Sequence, residues 1–205
     1  SGIPYGGGKI TVMAEQVNLD DLDELGFLSY ALDRVRFFTG PDMNYPVELA
    51  DAMNQFTPMI CAGMKNNPIG PSGGPTAYGV TAAMKKAVKF HFGRDDLKGM
   101  KIAVMGLGAV GFAQAEYLLA EGAKLVVCDA YQPAVQRLLD KYPNAGIEVV
   151  PVSDILTVEA DILCPCAIGG FITEDVINNL KVKMVFGAAN NQLHATNKEE
   201  EIALA

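Results

Sequence analysis

Gly106-Leu107-Gly108-Ala109-Val110-Gly111 stands between an apolar run, Lys101–Met105, and a stretch in which Ala115, Leu118 and Leu119 recur at helical spacing before Gly122. A glycine-rich turn from a buried strand into a helix lets the backbone approach a phosphate closely. It also aims the leading N–H groups of the helix at that charge. A second apolar run, Lys124–Cys128, follows and ends in Asp129. An acidic residue about 20 positions beyond the glycines, at a strand's end, is where the ribose hydroxyls of a dinucleotide are held. The pattern predicts a dinucleotide site with Gly106, Gly108, Ala109, Val110 and Gly111 around the pyrophosphate and Asp129 on the ribose. A glycine turn that merely packs a helix on a sheet is the plainer alternative, and the acid-ended second strand argues against it.

The rest of the chain extends this unit. Helical spacing over 76–92 puts Val80, Met84, Ala87 and Val88 on one side, and a helix is expected over 132–142 with Pro133 in its first turn. Further strands are expected at 147–150, 161–164 and 183–186. Strands alternating with helices imply a parallel sheet covered on both faces, with ligands at the carboxyl ends of the strands. The fold class expected is therefore α/β, a Rossmann-type doubly wound parallel sheet over 73–205. Before it, 1–72 reads as a smaller unit with strands at 10–14 and 36–39, a helix from Asp20 carrying Leu25, Leu28, Leu32 and Val35 on one face, and a helix over 47–55. The stretch 65–75 is dense in Pro, Gly and Asn and marks a loop or hinge. A last helix is expected over 197–205.

Composition excludes several classes. A formal net charge of −8 argues against a sequence-independent nucleic-acid binder, which needs a basic face. It leaves an anionic cofactor possible, because backbone amides can bind one. No apolar stretch is long enough to cross a bilayer, so no membrane partner is expected. Cys61, Cys128, Cys164 and Cys166 fit neither a zinc knuckle nor a thioredoxin-type pair, and read as buried thiols of a cytoplasmic protein. No metal is expected.

Two histidines, His91 and His194, leave little room for histidine chemistry. The remaining acid–base candidates are Lys9, after Gly6-Gly7-Gly8, and Asp42, after Gly40-Pro41. A lysine desolvated in a glycine-lined pocket loses protons more readily and can serve as a base. Asp42 would make the complementary transfer. The alternative, that both simply solvate a loop surface, stays open on the residues alone.

Six blocks together resemble the amino-acid dehydrogenases of the glutamate, leucine, phenylalanine and valine group: Gly6-Gly7-Gly8-Lys9, Gly40-Pro41-Asp42-Met43-Asn44, Thr76-Ala77-Tyr78-Gly79-Val80, the glycine turn, Cys164-Pro165-Cys166-Ala167-Ile168-Gly169-Gly170, and Ala188-Ala189-Asn190-Asn191-Gln192-Leu193. They stand in the family's order with similar spacing, and the versions Thr76-Ala77-Tyr78-Gly79-Val80, Pro165-Cys166-Ala167 and Ala189-Asn190-Asn191-Gln192-Leu193 are similar to the branched-chain and aromatic branch. The resemblance implies NAD-dependent oxidative deamination of an L-amino acid, branched-chain or aromatic, to a 2-oxo acid and ammonia. It implies that Lys9 assists water attack on the iminium and contacts the carbonyl oxygen, and that Asp42 exchanges the amine proton. Thr76, Asn190 and Asn191 would help place the nicotinamide, with Cys166, Ala167 and Ala188 on the same cofactor loops. Asp129 favours NAD, since the extra phosphate of NADP would meet a carboxylate.

Members of the family are longer. They carry an upstream lysine that grips the substrate carboxylate and a later Asn-Gly-Gly stretch, so the chain reads as a central segment whose front part belongs to a substrate domain. Apolar surface left by such a partial domain suggests a homo-oligomer. Two other readings compete: a non-catalytic NAD-binding or nucleotide-sensing module, and an NAD-dependent enzyme of one-carbon substrates. A sensor has no need of Lys9 with Asp42, and a one-carbon enzyme leaves the Thr76 and Asn190–Asn191 blocks unexplained.

Overall fold

The structure, a computed structural model, describes residues 6–13, 17–42, 45–61, 63 and 70–195. The expected helix at 197–205 and most of the linker at 65–69 lie outside the described residues. The chain divides into two compact units, Ser1–Ser72 and Gly73–Ala205.

In the first unit, helix α1 (Leu22–Val35) starts where the Asp21 carboxylate accepts the N–H groups of Asp23 at 3.1 Å and Glu24 at 3.0 Å. That cap satisfies donors a helix start otherwise leaves unpaired. Leu25 and Leu32 pack with Leu49, Ala50 and Met53 of α2 (Val47–Met53) and with Ile60. Val35, expected on the same face, is 65% exposed. The helix ends in a left-handed residue, Arg36 (φ 49°), and the Phe37 N–H turns back to the Leu32 carbonyl at 3.0 Å. Phe37 then packs against this core in its place.

The same turn removes the strand expected at 36–39. Only Thr39 pairs, in an isolated parallel bridge with Ile60, and residues 10–13 form no strand. A strand needs a partner along its length, and among the described residues of this unit no ladder supplies one.

The second unit is a five-stranded sheet in the order β3–β2–β1–β4–β5, with every neighbouring pair parallel. Its strands are β1 (Lys101–Met105), β2 (Lys124–Cys128), β3 (Glu148–Val149), β4 (Ile162–Pro165) and β5 (Met184–Val185). β1, β2 and β4 are apolar at nearly every position because both faces are covered. Ile102, Val104, Leu125, Val127 and Cys164 face Met84 and Val88 of α3 (Gly73–Phe92), Leu118 of α4 (Ala109–Ala120) and Leu138 of α5 (Gln132–Lys141). Ala103, Val126, Cys128 and Leu163 face the other way, against Ile155, Ala160 and Leu180. This is the doubly wound architecture.

Three details depart from the sequence pattern. α3 begins at Gly73, inside the stretch read as hinge, with Pro75 in its first turn, where a missing N–H costs no intrahelical bond. A single 3₁₀ turn, Ile155–Thr157, occupies the β3–β4 connection. A short α6 (Glu174–Asn179), unexpected from periodicity, starts where the Thr173 hydroxyl accepts the Val176 N–H at 3.2 Å. Among the described residues no helix is long and apolar enough to cross a membrane.

Leu118 is fully buried on the sheet-facing side of α4. Leu118→Ala is expected to cost about 2–5 kcal/mol. The urea midpoint should fall with an unchanged slope.

Candidate functional site

The carboxyl edge of the parallel sheet carries the glycine turn. Gly106 leaves β1 at φ +94°, and a Cβ there would lie 2.9 Å from the Ala167 nitrogen. Two restrictions therefore meet at Gly106: a left-handed backbone and a close neighbour. A Cβ on Gly111 would run into the Gly106 carbonyl oxygen, so the first helical turn folds directly onto the loop that precedes it. Gly108 is the N-cap of α4, is exposed, and has nothing within 4 Å of the place its Cβ would take. Open space thus adjoins the end of a helix whose leading N–H groups have no acceptor within the helix. Ala109 is exposed and Val110 half-buried in that same turn. Such a helix end suits an anionic group.

The turn is held from both sides at one peptide. The Leu107 N–H donates to Asp129 Oδ2 at 2.5 Å, and the Leu107 carbonyl accepts from Arg137 Nη2 at 3.4 Å. Gly106 N–H donates to the Cys128 carbonyl at 2.9 Å, tying the turn to the end of β2. Asp129 Oδ1 accepts the Tyr131 N–H at 2.7 Å. Each carboxylate oxygen keeps a second lone pair, so the same group retains capacity for a hydroxyl donor. Arg137 also lies over the Phe112 ring, 4.3 Å from its centroid. Arg137 carried no motif, and nothing in its spacing pointed to Leu107.

Two further loops share this edge. The Cys166 N–H donates to the Met105 carbonyl at 2.7 Å, and Ala189 N–H to the Pro165 carbonyl at 2.9 Å. Gly170 N–H donates to the Asn191 carbonyl at 2.5 Å, which binds the loop after β4 to the loop after β5. Cys166, Ala167 and Ala188 are half-buried along this seam, and Asn190 and Asn191 are exposed at its outer end. His194 Nδ1 lies 3.0 Å from the Gly170 carbonyl oxygen and fastens the same loops, while His91 sits edge-on to Phe92 at 4.7 Å. Thr76 is exposed in the first turn of α3. That helix starts against α4: a Cβ on Gly73 would lie 2.6 Å from the Ala109 carbonyl oxygen.

Lys9 and Asp42 belong to the first unit. They are 33 residues apart in sequence and form an ion pair, Lys9 Nζ to Asp42 Oδ2, at 2.9 Å. Asp42 is placed by a tight backbone exchange with Tyr45, N–H to carbonyl both ways at 3.1 and 3.0 Å. Burial, then the nearby Cys61, pushes the Tyr45 phenol up to about 12. The desolvated lysine expected from the sequence is not what this unit builds. The Lys9 side chain is 80% exposed and that of Asp42 63%, because Gly6, Gly7 and Gly8 bring no side chains to cover them. Among the described residues no cluster of His, Cys, Asp or Glu is placed to hold a metal ion.

No family model matches the chain. It is similar to the leucine dehydrogenase of Bacillus subtilis (strain 168), at 36% identity over 208 residues, covering 98% of this chain and 56% of that protein. It is equally similar to the phenylalanine dehydrogenase of Lysinibacillus sphaericus, at 36% identity over 200 residues, covering 93% of this chain and 51% of that one. Among solved structures, the L-tryptophan dehydrogenase of Nostoc punctiforme superposes with a TM-score of 0.63 at 28% identity, over 88% of this chain and 51% of that one. A hetero-hexameric glutamate dehydrogenase of Thermus thermophilus shares the fold, with a TM-score of 0.65 at 20% identity, over 90% and 50% of the two chains. The chain spans about half the length of the curated relatives it matches.

Removing the carboxylate in Asp129→Ala takes the acceptor from the Leu107 N–H, at an expected cost of about 1–3 kcal/mol to the local structure. Hydrogen exchange at the Leu107 amide should accelerate about tenfold or more, the change such an energy implies. Exchange at amides of α3 should stay as in the parent.

Proposed function

The chain is a homologue of the amino-acid dehydrogenases along nearly its whole length, and from that we propose that its protein oxidatively deaminates an L-amino acid to a 2-oxo acid and ammonia, with NAD as the oxidant. The observation that carries this reading is the pairing of Lys9 with Asp42 at 2.9 Å, since two oppositely charged groups brought together in a loop region suit paired proton transfers. Branched-chain and aromatic amino acids are the favoured substrates, in keeping with the names of the relatives.

The residues fit the cofactor through the space above Gly108 and the start of α4. Gly106, Gly108, Ala109, Val110 and Gly111 would take the pyrophosphate and Asp129 the adenosine ribose. Thr76, Cys166, Ala167, Ala188, Asn190 and Asn191 would line the nicotinamide side. Bound there, NAD supplies the hydride acceptor for the substrate's α-carbon. Asp42 takes the proton that the substrate ammonium gives up. Lys9 then contacts the carbonyl oxygen and assists the water that attacks the iminium carbon. The ion pair suits the exchange, because each partner holds the other near the atoms it must serve. The same reading includes a cytoplasmic homo-oligomer with no nucleic-acid partner. A sensing module without chemistry is disfavoured by relatives that are named as enzymes.

With NAD and a panel of leucine, valine, phenylalanine and glutamate, the full-length protein should form NADH fastest on an apolar amino acid. Lys9→Ala should lower kcat by about 10²–10⁴, the usual contribution of a positioned proton-transfer group. Its affinity for NAD should hold; normal turnover in that variant would refute the role. Asp129→Ala should weaken NAD by about 1–3 kcal/mol, the loss of a charged acceptor. It should weaken NADP less, as read by fluorescence titration of the two reduced cofactors.

A further inference from the structure

Beneath the cofactor edge, β4 brings two thiols together. Cys164 lies in β4 and Cys166 is the first residue beyond it, and both pack into the same hydrophobic cluster. Their sulfurs are 3.9 Å apart. Cys164 is fully buried and Cys166 half-buried at the carboxyl end of the strand. We propose that Cys164 and Cys166 form a thiol-modification site, in which Cys166 attacks a low-molecular-weight disulfide and Cys164 resolves the product into an intrachain Cys164–Cys166 disulfide.

The division of labour follows from the surroundings. The contact with the Cys164 sulfur lowers the Cys166 pKa against the opposing effect of burial, and the Ala188 N–H acts in the same sense. Cys164 is held the other way: its contact with Cys166 and its burial raise its pKa. The more exposed sulfur is thus the readier thiolate, and thiolates are the attacking species. Cys128 is unsuited to the task, since burial pushes its thiol up to about 11.

The steps balance. The Cys166 thiolate bonds to one sulfur of the disulfide, whose S–S bond breaks and releases one thiolate to take up a proton. Cys164 then bonds to Cys166 Sγ and expels the second thiolate, which takes up the proton that Cys164 gives up. Two protein thiols lose two electrons and two protons, and the small disulfide is reduced to two thiols.

Closing a bond of about 2.05 Å across a gap now 3.9 Å wide must draw Cys166 back along β4. Cys166 has little freedom to move alone. Its Cβ lies 3.0 Å from the place a Cβ on Gly111 would take, and the next residue, Ala167, is packed on Gly106. Oxidation should therefore distort the glycine turn and weaken the cofactor. This consequence rests on the proposed NAD reading, whereas the thiol chemistry does not. A bridge spanning one residue is also strained, which makes it readily reducible.

The test treats the reduced full-length protein with oxidised glutathione, maps the products by peptide mass, and titrates NADH by fluorescence before and after. Expected are a Cys164–Cys166 disulfide and NADH binding weaker by about fivefold or more, the lower end of ordinary site-to-site coupling. Dithiothreitol should restore both. Cys164→Ser should stop at a glutathione mixed disulfide on Cys166, Cys166→Ser should remain unmodified at Cys164, and Cys61→Ser should behave as the parent. If Cys164→Ser does not fold, phenylarsine oxide, which needs two adjacent thiols, should bind the parent protein and block the oxidation. Absence of the disulfide under excess oxidised glutathione would overturn the proposal. A disulfide that leaves NADH affinity unchanged would overturn its coupling to the turn. Failure of the reduced protein to bind NADH would instead count against the cofactor reading, with the thiol result standing by itself.

Discussion

The approach of Gly111 to the Gly106 carbonyl oxygen sets the geometry on which the candidate site depends. With no side chain at either position, α4 can begin directly over the end of β1, and its leading N–H groups face the carboxyl edge of the sheet. Any Cβ at Gly111 would push the helix away and separate the phosphate-binding donors from the strand that orients them. The Leu107 peptide, gripped by Asp129 at its N–H and by Arg137 at its carbonyl, keeps the intervening loop from taking another path. Asp129 is thereby part of the loop's construction as well as a candidate ligand group. One carboxylate links the length of β2 to the shape of the turn after β1.

The parts legible in the sequence are those governed by local rules. β1 and β2 occupy the residues their apolar runs indicate, because buried parallel strands need apolar groups on both faces. The glycine turn falls where its spacing puts it. The outer strands are shorter than the expected runs, two residues each for β3 and β5, since among the described residues each has a sheet neighbour on one side only. The stretch Arg36-Phe37-Phe38-Thr39 has the composition of a strand, yet Arg36 closes a helix and Phe37 folds back onto it. Tertiary packing outweighed propensity there. α6 was too short for periodicity, although Thr173 followed by Glu174 and Asp175 is a readable helix start.

The candidate site divides in the same way. Asp129 was visible as an acid at a strand's end, whereas its bond to Leu107 depends on how the turn folds over β2. Arg137 is invisible for a similar reason: its contact spans 30 residues and follows no motif. In the sequence Lys9 and Asp42 stand out as charged groups beside glycine and proline, and the resemblance joins them in one role. Their pairing is a fact of the folded first unit, and their exposure reverses the expectation of a desolvated lysine. A lysine beside glycines has little to bury it unless another part of the protein covers it.

The sheet's strand order has a further effect on how the protein behaves in a crowded solution. The long, apolar strands β1, β2 and β4 sit inside, and the two-residue strands β3 and β5 form the margins. At one margin Glu148 is exposed and paired with Lys101 at 3.0 Å. A short border that carries an ion-paired acid presents few unpaired backbone groups in register for a stranger's strand to bind. Among the described residues, the β3 margin of the sheet is thus poorly suited to recruit another copy through edge-to-edge growth.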